Sequence, residues 1–305
     1  MFSDIGSVRG QENAYPLQMS IGKKSHRPEV PGVNGLVTAG HPLASMAGLR
    51  ILMSGGNAID AAVAVLATLN VVRPQMSGAG GNGFLTYFDK RSGTVRSLSA
   101  AGAAPEALVA SDRLAEELNK GIYAGVVPGL FGGWISMLKE YGTMSLSEVL
   151  TPAFEYAANG HPIEESVVRS IASQEDLFRQ HPTSARMFLP EGRVPEVGEV
   201  FTMPDLASTF RKLIDEEELA LREGKGRNQA LDAAFSTFYE GDIAEEFVRF
   251  YAEEGGLFTE EDFANFSPKW NDPIHINYRG YDIYSSPPTS RGGLEVLMQL
   301  KLVER

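Results

Sequence analysis

The chain of 305 residues contains no cysteine, and this absence removes several classes of protein. Disulfide frameworks, zinc–thiolate sites, iron–sulfur clusters and cysteine nucleophiles all need a thiol that the sequence does not offer. The search for a nucleophile therefore turns to hydroxyl groups. The five histidines are scattered and show no metal-ligand spacing, so we predict no metal and no cofactor.

Basic charge is also scarce. The sequence has 27 Lys and Arg against 39 Asp and Glu, a formal net charge of −12. Such a surplus repels phosphate, so binding to nucleic acid or to an anionic membrane would need a local basic stripe. The basic clusters are short and lie in polar segments with glycine or proline, and we interpret them as solvated loops and predict no nucleic-acid partner. They are Lys23, Lys24 and Arg27, and Arg222, Lys225 and Arg227.

Long hydrophobic runs are absent as well. The N-terminus has no apolar segment of the kind found in signal peptides or membrane spans, which predicts a cytoplasmic protein without a membrane contact. At 43% hydrophobic and 22% charged residues the chain is typical of a globular protein with a buried core. Residues 1–33 carry three prolines and little periodicity, which favours an extended N-terminal arm ahead of a body over 34–305.

Periodicity within the body predicts a mostly helical middle flanked by two hairpins. Residues 36–39 are predicted to form a short strand, and 183–203 a loop with short strands. The predicted hairpins pair 84–88 with 94–98 and 274–278 with 281–285. Helices are predicted at 42–54, 58–72, 112–119, 130–141, 145–158, 163–179, 204–218, 230–239, 241–254, 260–265 and from 294 onward.

One motif, at 78–83, matches the G-x-G-x-x-G fingerprint of dinucleotide-binding proteins letter for letter. The fingerprint needs a strand before it and a helix after it, so that the pyrophosphate meets the helix amides. Here a predicted helix precedes the glycines and a predicted strand follows them. We therefore interpret these glycines as a place where two backbones approach closely.

Several segments in combination resemble the gamma-glutamyltransferase family of N-terminal-nucleophile (Ntn) hydrolases. They occur in the family's order from about residue 33 to residue 300. The segments are HPLAS at 41–45, AGL at 47–49, GGNAIDAAVA at 55–64, SGAGGNGF at 77–84, VPG at 127–129, YGT at 141–143, FYEG at 238–241, GG at 255–256, YRGY at 278–281 and PPTSRGG at 287–293.

The resemblance implies a proenzyme that cleaves itself into two subunits, with a threonine exposed at the start of the small one. Its implied fold is an α/β (α+β) four-layer α-β-β-α sandwich, to which residues 34–305 contribute the large-subunit part of a single domain. The implied partners are a C-terminal small subunit and a small-molecule amide or gamma-glutamyl-like substrate. No catalytic residue is expected within this chain, because the nucleophilic threonine is expected beyond Arg305.

Two departures from the family pattern bear on the substrate. Relatives that act on gamma-glutamyl compounds carry a D-x-R-E-x-A-P segment whose arginine pairs with the substrate α-carboxylate. The aligned stretch here, 99–105, reads SAAGAAP, so Ala101 replaces the arginine and Gly102 the glutamate. Arg291 stands where relatives have serine, and it either binds an acid from another direction or is an ordinary surface arginine.

These departures favour an amide hydrolase that accepts a smaller or less charged acyl group. We take Ala101, Gly102 and Arg291 as the candidate substrate-binding residues. Two alternatives stay open: a true gamma-glutamyl transferase or glutathione hydrolase with an altered carboxylate clamp, and a non-catalytic chain that is a truncated product or a pseudoenzyme.

Overall fold

The computed structural model describes residues 30–109, 117–119 and 121–304. The chain divides into two units, residues 1–36 and 37–305. In the first unit, the described residues 30–36 are exposed and form neither helix nor strand; the rest of the predicted arm lies outside the described residues. The predicted helix over 112–119 also lies mostly outside them, and its last residues, Glu117–Asn119, form a 3-10 turn.

Twelve α-helices and seven strands make up the described part of the second unit. The helices are α1 (Pro42–Met53), α2 (Ala58–Val72), α3 (Leu130–Tyr141), α4 (Leu146–Asn159), α5 (Glu165–Ser173), α6 (Glu175–Gln180), α7 (Pro182–Phe188), α8 (Pro204–Arg222), α9 (Arg227–Tyr239), α10 (Asp242–Glu253), α11 (Glu260–Ala264) and α12 (Arg291–Val303). The strands are β1 (Gly83–Asp89), β2 (Thr94–Ala100), β3 (His161–Pro162), β4 (Val200–Phe201), β5 (Lys269–Asn271), β6 (Ile274–Tyr278) and β7 (Tyr281–Ser285).

The helix α2 lies at the centre of the core, as its run of alanine, valine and leucine predicts. Most of its residues are buried, and it packs between α1, α3 and α4. The side chain of Asn57 accepts hydrogen bonds from the amides of Ile59 and Asp60, and Asp60 accepts one from the Asn57 amide, which completes a capping box. This cap begins the helix where the sequence predicts it to begin.

Strands β1 and β2 form an antiparallel hairpin that pairs Gly83 with Ala100 at one end and Asp89 with Thr94 at the other. The third strand, β5, pairs with β2 on its free edge. Alternation along β2 turns Leu98 and Ala100 into the helical core, where both are buried. The sheet therefore has one face against the helices and one face turned away from them.

Two buried carboxylates join separate helices. Asp60 accepts hydrogen bonds from the amides of Thr143 and Met144 and from the Thr143 hydroxyl, which lie in the turn between α3 and α4. Glu217 of α8 accepts from the amides of Leu146 and Ser147 at the start of α4. Burial raises the pKa of Glu217, although the two amide donors act in the opposite direction. Glu217 thus satisfies two amides that the start of α4 would otherwise leave without partners, and Asp60 satisfies amides of the turn that precedes it.

The structure corrects three of the predicted elements. Residues 36–39 form no strand. The helix predicted over 163–179 is two helices, broken at Gln174, because Glu175 and Asp176 favour the first turn of a new helix. The predicted loop over 183–203 contains α7, which begins at Pro182, since proline fits the first turn of a helix well.

The buried histidine His161 is expected to make the protein less stable in acid. It lies between Tyr156 and Phe201, near His41 and Glu164, and burial lowers its pKa from 6.5 to about 4. An unfolded chain therefore binds a proton here at a pH where the folded chain does not. The contribution to stability is intact above pH 6.5 and falls by about 3 kcal/mol as the pH drops towards 4.

Urea unfolding of the wild type and of His161→Phe at pH 7 and pH 4.5 measures this effect. The variant removes the titrating group and keeps an aromatic ring between the same two neighbours. Its loss of stability between the two pH values is expected to be clearly smaller than that of the wild type. Equal losses in both proteins would contradict the assignment to His161.

Within the described residues, no helix combines the length and the apolarity that crossing a bilayer requires.

Candidate substrate-binding site

The glycine-rich segment 78–83 connects α2 to β1 and meets the start of α3. The carbonyl oxygen of Gly81 accepts hydrogen bonds from the amides of Gly129 and Leu130, at 3.0 and 2.9 Å. A strand, β1, follows these glycines directly. The amides at the helix start are thus occupied by a backbone carbonyl in a turn between helix and strand, which agrees with the interpretation of these glycines as a close backbone contact.

The candidate segment 99–103 runs from the end of β2 along the segment 127–129. The amide of Gly102 donates to the side-chain oxygen of Asn82 at 3.0 Å, and the amide of Val127 donates to the carbonyl of Ala103 at 2.9 Å. A Cβ atom on Gly102 would lie 1.7 Å from the carbonyl oxygen of Val127. The backbone here therefore has no room for a side chain at the position where relatives carry glutamate.

Tyr239, at the end of α9, holds the neighbouring segment in place. Its buried hydroxyl donates to the carbonyl of Pro128 at 2.6 Å and accepts from the amide of Gly132 at 2.9 Å. Burial raises the pKa of this phenol, so that it keeps its proton. Two segments that carry the family resemblance, 77–84 and 127–129, thus contact residues 99–103, and a third, 238–241, contacts 127–129.

The structure brings together Ser99 and Thr289, which lie close in sequence to the candidate residues Ala101 and Arg291. The hydroxyl groups of Ser99 and Thr289 lie 3.2 Å apart, and each of these residues is two positions away from a candidate residue. The Arg291 guanidinium forms an ion pair with Glu295 on its own helix at 2.8 Å, and its side chain is 87% exposed. This geometry supports an ordinary surface arginine, and a part for Arg291 in binding remains a prediction.

Comparison with known proteins shows the family to which the chain belongs. The family model for gamma-glutamyltranspeptidase matches residues 44–305. The chain belongs to this family. It is 36% identical over 288 residues to the glutathione hydrolase-like YwrD proenzyme of Bacillus subtilis (strain 168), covering 90% of this chain and 50% of that protein. It is 32% identical over 286 residues to the acylase ACY 1 proenzyme of Pseudomonas sp. (strain SE83), covering 90% and 48%.

A solved structure extends the likeness from sequence to fold. The gamma-glutamyltranspeptidase of Helicobacter pylori superposes with a TM-score of 0.80 at 31% sequence identity, covering 91% of this chain and 76% of that one. The gamma-glutamyltranspeptidase fold predicted from the sequence is thereby confirmed, over the large-subunit region. The chain spans about half the length of the curated relatives that it matches.

The described residues of this gamma-glutamyltranspeptidase-family chain hold no group of three or more histidine, aspartate or glutamate side chains that could bind a metal ion. Sequence reasoning missed four residues that shape the site: Asn82, Ser99, Tyr239 and Thr289. Asn82, Tyr239 and Thr289 lie within segments that carry the resemblance, so the family pattern could have pointed to them. The contact between Ser99 and Thr289 joins residues 190 positions apart, and no local pattern signals it.

Proposed function

We propose that this chain forms the large-subunit part of a precursor that matures into a threonine-dependent amide hydrolase or acyltransferase, whose acyl group lacks the α-carboxylate of a gamma-glutamyl group. The observation that carries the proposal is the uncharged segment 99–102, in which serine, alanine and glycine replace the charged residues of D-x-R-E. Related chains named proenzymes, one of them an acylase, support maturation and the reaction class.

The proposed reaction proceeds in two balanced steps. The hydroxyl oxygen of the small-subunit threonine attacks the amide carbonyl carbon, and its proton passes through the threonine α-amine to the leaving nitrogen. The C–N bond breaks, the amine departs and the acyl group remains as an ester on the threonine. Water or a second amine then attacks the ester, which gives an acid or a new amide and restores the hydroxyl.

A surface suited to the small subunit lies on α12 and β1. Helix α12 leaves a set of large apolar side chains exposed, and β1 exposes Phe88 on the sheet face away from the helices. Apolar side chains exposed in such number along one helix are typical of a protein interface. The exposed apolar residues of α12 are Leu294, Val296, Met298, Leu302 and Val303.

Mass spectrometry of the protein purified from cells that express the whole gene tests the proposal. We expect a second polypeptide whose N-terminal residue is threonine, and hydrolysis of simple N-acyl p-nitroanilides by the pair. Replacing that threonine with alanine is expected to leave a single uncleaved precursor without activity. A chain that purifies alone at 33.1 kDa and hydrolyses nothing would favour the non-catalytic alternative.

Glutathione hydrolysis is the second candidate, because the relative from Bacillus subtilis carries a glutathione hydrolase-like name. It would need another cation to bind the substrate carboxylate, and Arg291 is the candidate for that part. Efficient wild-type turnover of gamma-glutamyl-p-nitroanilide, lost in Arg291→Ala, would favour this function. A low wild-type rate that Arg291→Ala does not change would favour the neutral acyl group.

A further inference from the structure

The sheet face that turns away from the helices carries a row of hydroxyl groups. Alternation along β2 sends Leu98 and Ala100 into the core and Ser97 and Ser99 to the opposite face. Ala101 follows directly after the last residue of β2 and is two positions away from Ser99. The position of the missing arginine thus lies at the end of this row of serines.

A second segment, between β7 and α12, crosses this face and adds hydroxyl groups of its own. The Ser97 hydroxyl donates to the carbonyl of Leu85 at 3.0 Å and lies 3.1 Å from the Ser286 hydroxyl, from which it can accept. The Thr86 hydroxyl lies 3.3 Å from that of Ser286. Ser97 and Ser286 are both buried. These two hydroxyls bind the crossing segment to the sheet, and because they are buried they are not accessible to a ligand.

The next pair along the row, Ser99 and Thr289, is open. Their hydroxyl groups lie 3.2 Å apart; Ser99 is half-buried and Thr289 is exposed. No charged side chain of the described residues forms a hydrogen bond with either hydroxyl, and the nearby Arg291 is engaged with Glu295. Each hydroxyl can donate one hydrogen bond and accept others. The two residues can therefore bind a neutral polar group that is a hydrogen-bond donor, an acceptor or both.

An apolar side chain stands beside this pair. Phe84 lies directly opposite Ser99 in the β1–β2 register and exposes 43% of its surface on the same face of the sheet. Its ring can cover a short chain of methylene groups that leads towards the hydroxyl pair. The surface therefore combines an apolar wall with an uncharged hydrogen-bonding end.

We infer that Ser99 and Thr289 determine the acyl specificity of the enzyme, and that they bind an acyl group consisting of a short alkyl chain with a neutral carboxamide end. This inference rests on the proposed function. A carboxamide offers both donors and an acceptor to the two hydroxyls. Binding of a carboxylate here is unfavourable, because the carboxylate would lose its bound water and find no cation in exchange. An alkyl end would bind poorly as well, because it would leave the two hydroxyls without hydrogen-bond partners.

Three p-nitroanilides of matched chain length test the inference on the mature enzyme: 4-carbamoylbutanoyl, 4-carboxybutanoyl (glutaryl) and pentanoyl. The carbamoyl compound is expected to have a kcat/KM about tenfold above each of the other two, the effect of one or two added neutral hydrogen bonds. Equal values for the three, or a preference for the carboxylate, would overturn the inference.

The variants Ser99→Ala and Thr289→Val test whether the preference for the carbamoyl compound depends on these two hydroxyls. Each is expected to lower kcat/KM for the carbamoyl compound about tenfold and to change that for the pentanoyl compound by less than twofold. Thr94→Val, which removes an exposed hydroxyl at the other end of β2, is the matched control and should change neither value. A parallel loss on both substrates would indicate a general structural role and overturn the assignment.

Failure of the proposed function can be distinguished from failure of this inference. If none of the anilides is hydrolysed, the amide hydrolase proposal fails, and calorimetric binding of pentanediamide and of glutarate to the purified protein then decides the inference. Binding of the diamide that Ser99→Ala weakens about tenfold would support the neutral site. Absence of diamide binding, or tighter binding of glutarate, would overturn it.

Discussion

Replacing Ala101 with arginine is expected to raise kcat/KM for gamma-glutamyl-p-nitroanilide by about 30-fold or more. The side chain at this position would offer a two-pronged donor to the substrate α-carboxylate, and such a buried pair contributes about 2–5 kcal/mol when the penalty for an unpaired carboxylate is included. The lower end of that range corresponds to about 30-fold in rate. Steady-state kinetics of the mature enzyme, wild type against Ala101→Arg, measures the change.

Ala104→Arg provides the matched control for this prediction. It adds the same charge three residues further on, at an exposed position, and is expected to change kcat/KM by less than threefold. Turnover that Ala101→Arg fails to improve would show that the site differs from its relatives by more than one charge. The backbone makes that outcome informative, because Gly102 lies too close to Val127 to accept the neighbouring glutamate as well.

The helices and hairpins could be predicted from the sequence because their signals are local. The bounds of α2 and α3 and of the hairpin β6–β7 match the predicted ones, since capping residues, glycine stops and alternation act within a few positions. The short strands β3 and β5 were missed, and β4 was predicted only as one of the short strands within the loop over 183–203. Each of these strands has only two or three residues, which is too few to show an alternating side-chain pattern. They are strands because they pair with a strand that is distant in sequence.

The residues of the candidate site could be predicted only where they lie in segments that align with the family pattern. Ala101 and Gly102 drew attention because an arginine and a glutamate are missing there, and the sequence alone could not show that Gly102 is pressed against Val127. The contacts of Asn82 with Gly102 and of Ser99 with Thr289 depend on tertiary packing across 20 and 190 positions. Such contacts leave no periodic signal, so only the folded chain reveals them.

Asp60→Ala is expected to cost about 3–5 kcal/mol of unfolding free energy. The carboxylate is fully buried and accepts four hydrogen bonds, from the amides of Asn57, Thr143 and Met144 and from the Thr143 hydroxyl, at 2.7 to 3.2 Å. Hydrogen bonds to a charged group contribute about 1.5–3 kcal/mol each, and donors left unpaired in the core add a penalty. The net cost is smaller than the sum over four bonds, because the variant no longer has to keep a carboxylate out of water. Urea unfolding of the purified protein measures the difference.

Glu148→Ala is the matched control, because Glu148 occupies the same position in the capping box of α4 that Asp60 occupies in α2. It accepts from the amide and hydroxyl of Ser145, at 2.8 and 2.9 Å, but it is exposed. Water can replace those bonds, so its loss is expected to cost about 1 kcal/mol or less. Equal costs for the two variants would mean that Asp60 acts only as a cap.

The variant Asp60→Asn separates the contribution of the negative charge of Asp60 from that of its hydrogen bonds. One side-chain oxygen of Asp60 accepts from the amides of Thr143 and Met144 and the other from the Asn57 amide and the Thr143 hydroxyl. An asparagine can keep the first oxygen and turn its amide towards the Thr143 hydroxyl, which can accept as well as donate. Only the bond from the Asn57 amide is then lost, so the cost should fall between those of Glu148→Ala and Asp60→Ala. A cost as large as that of Asp60→Ala would show that the negative charge, and not the number of bonds, holds the turn between α3 and α4 to the core helix.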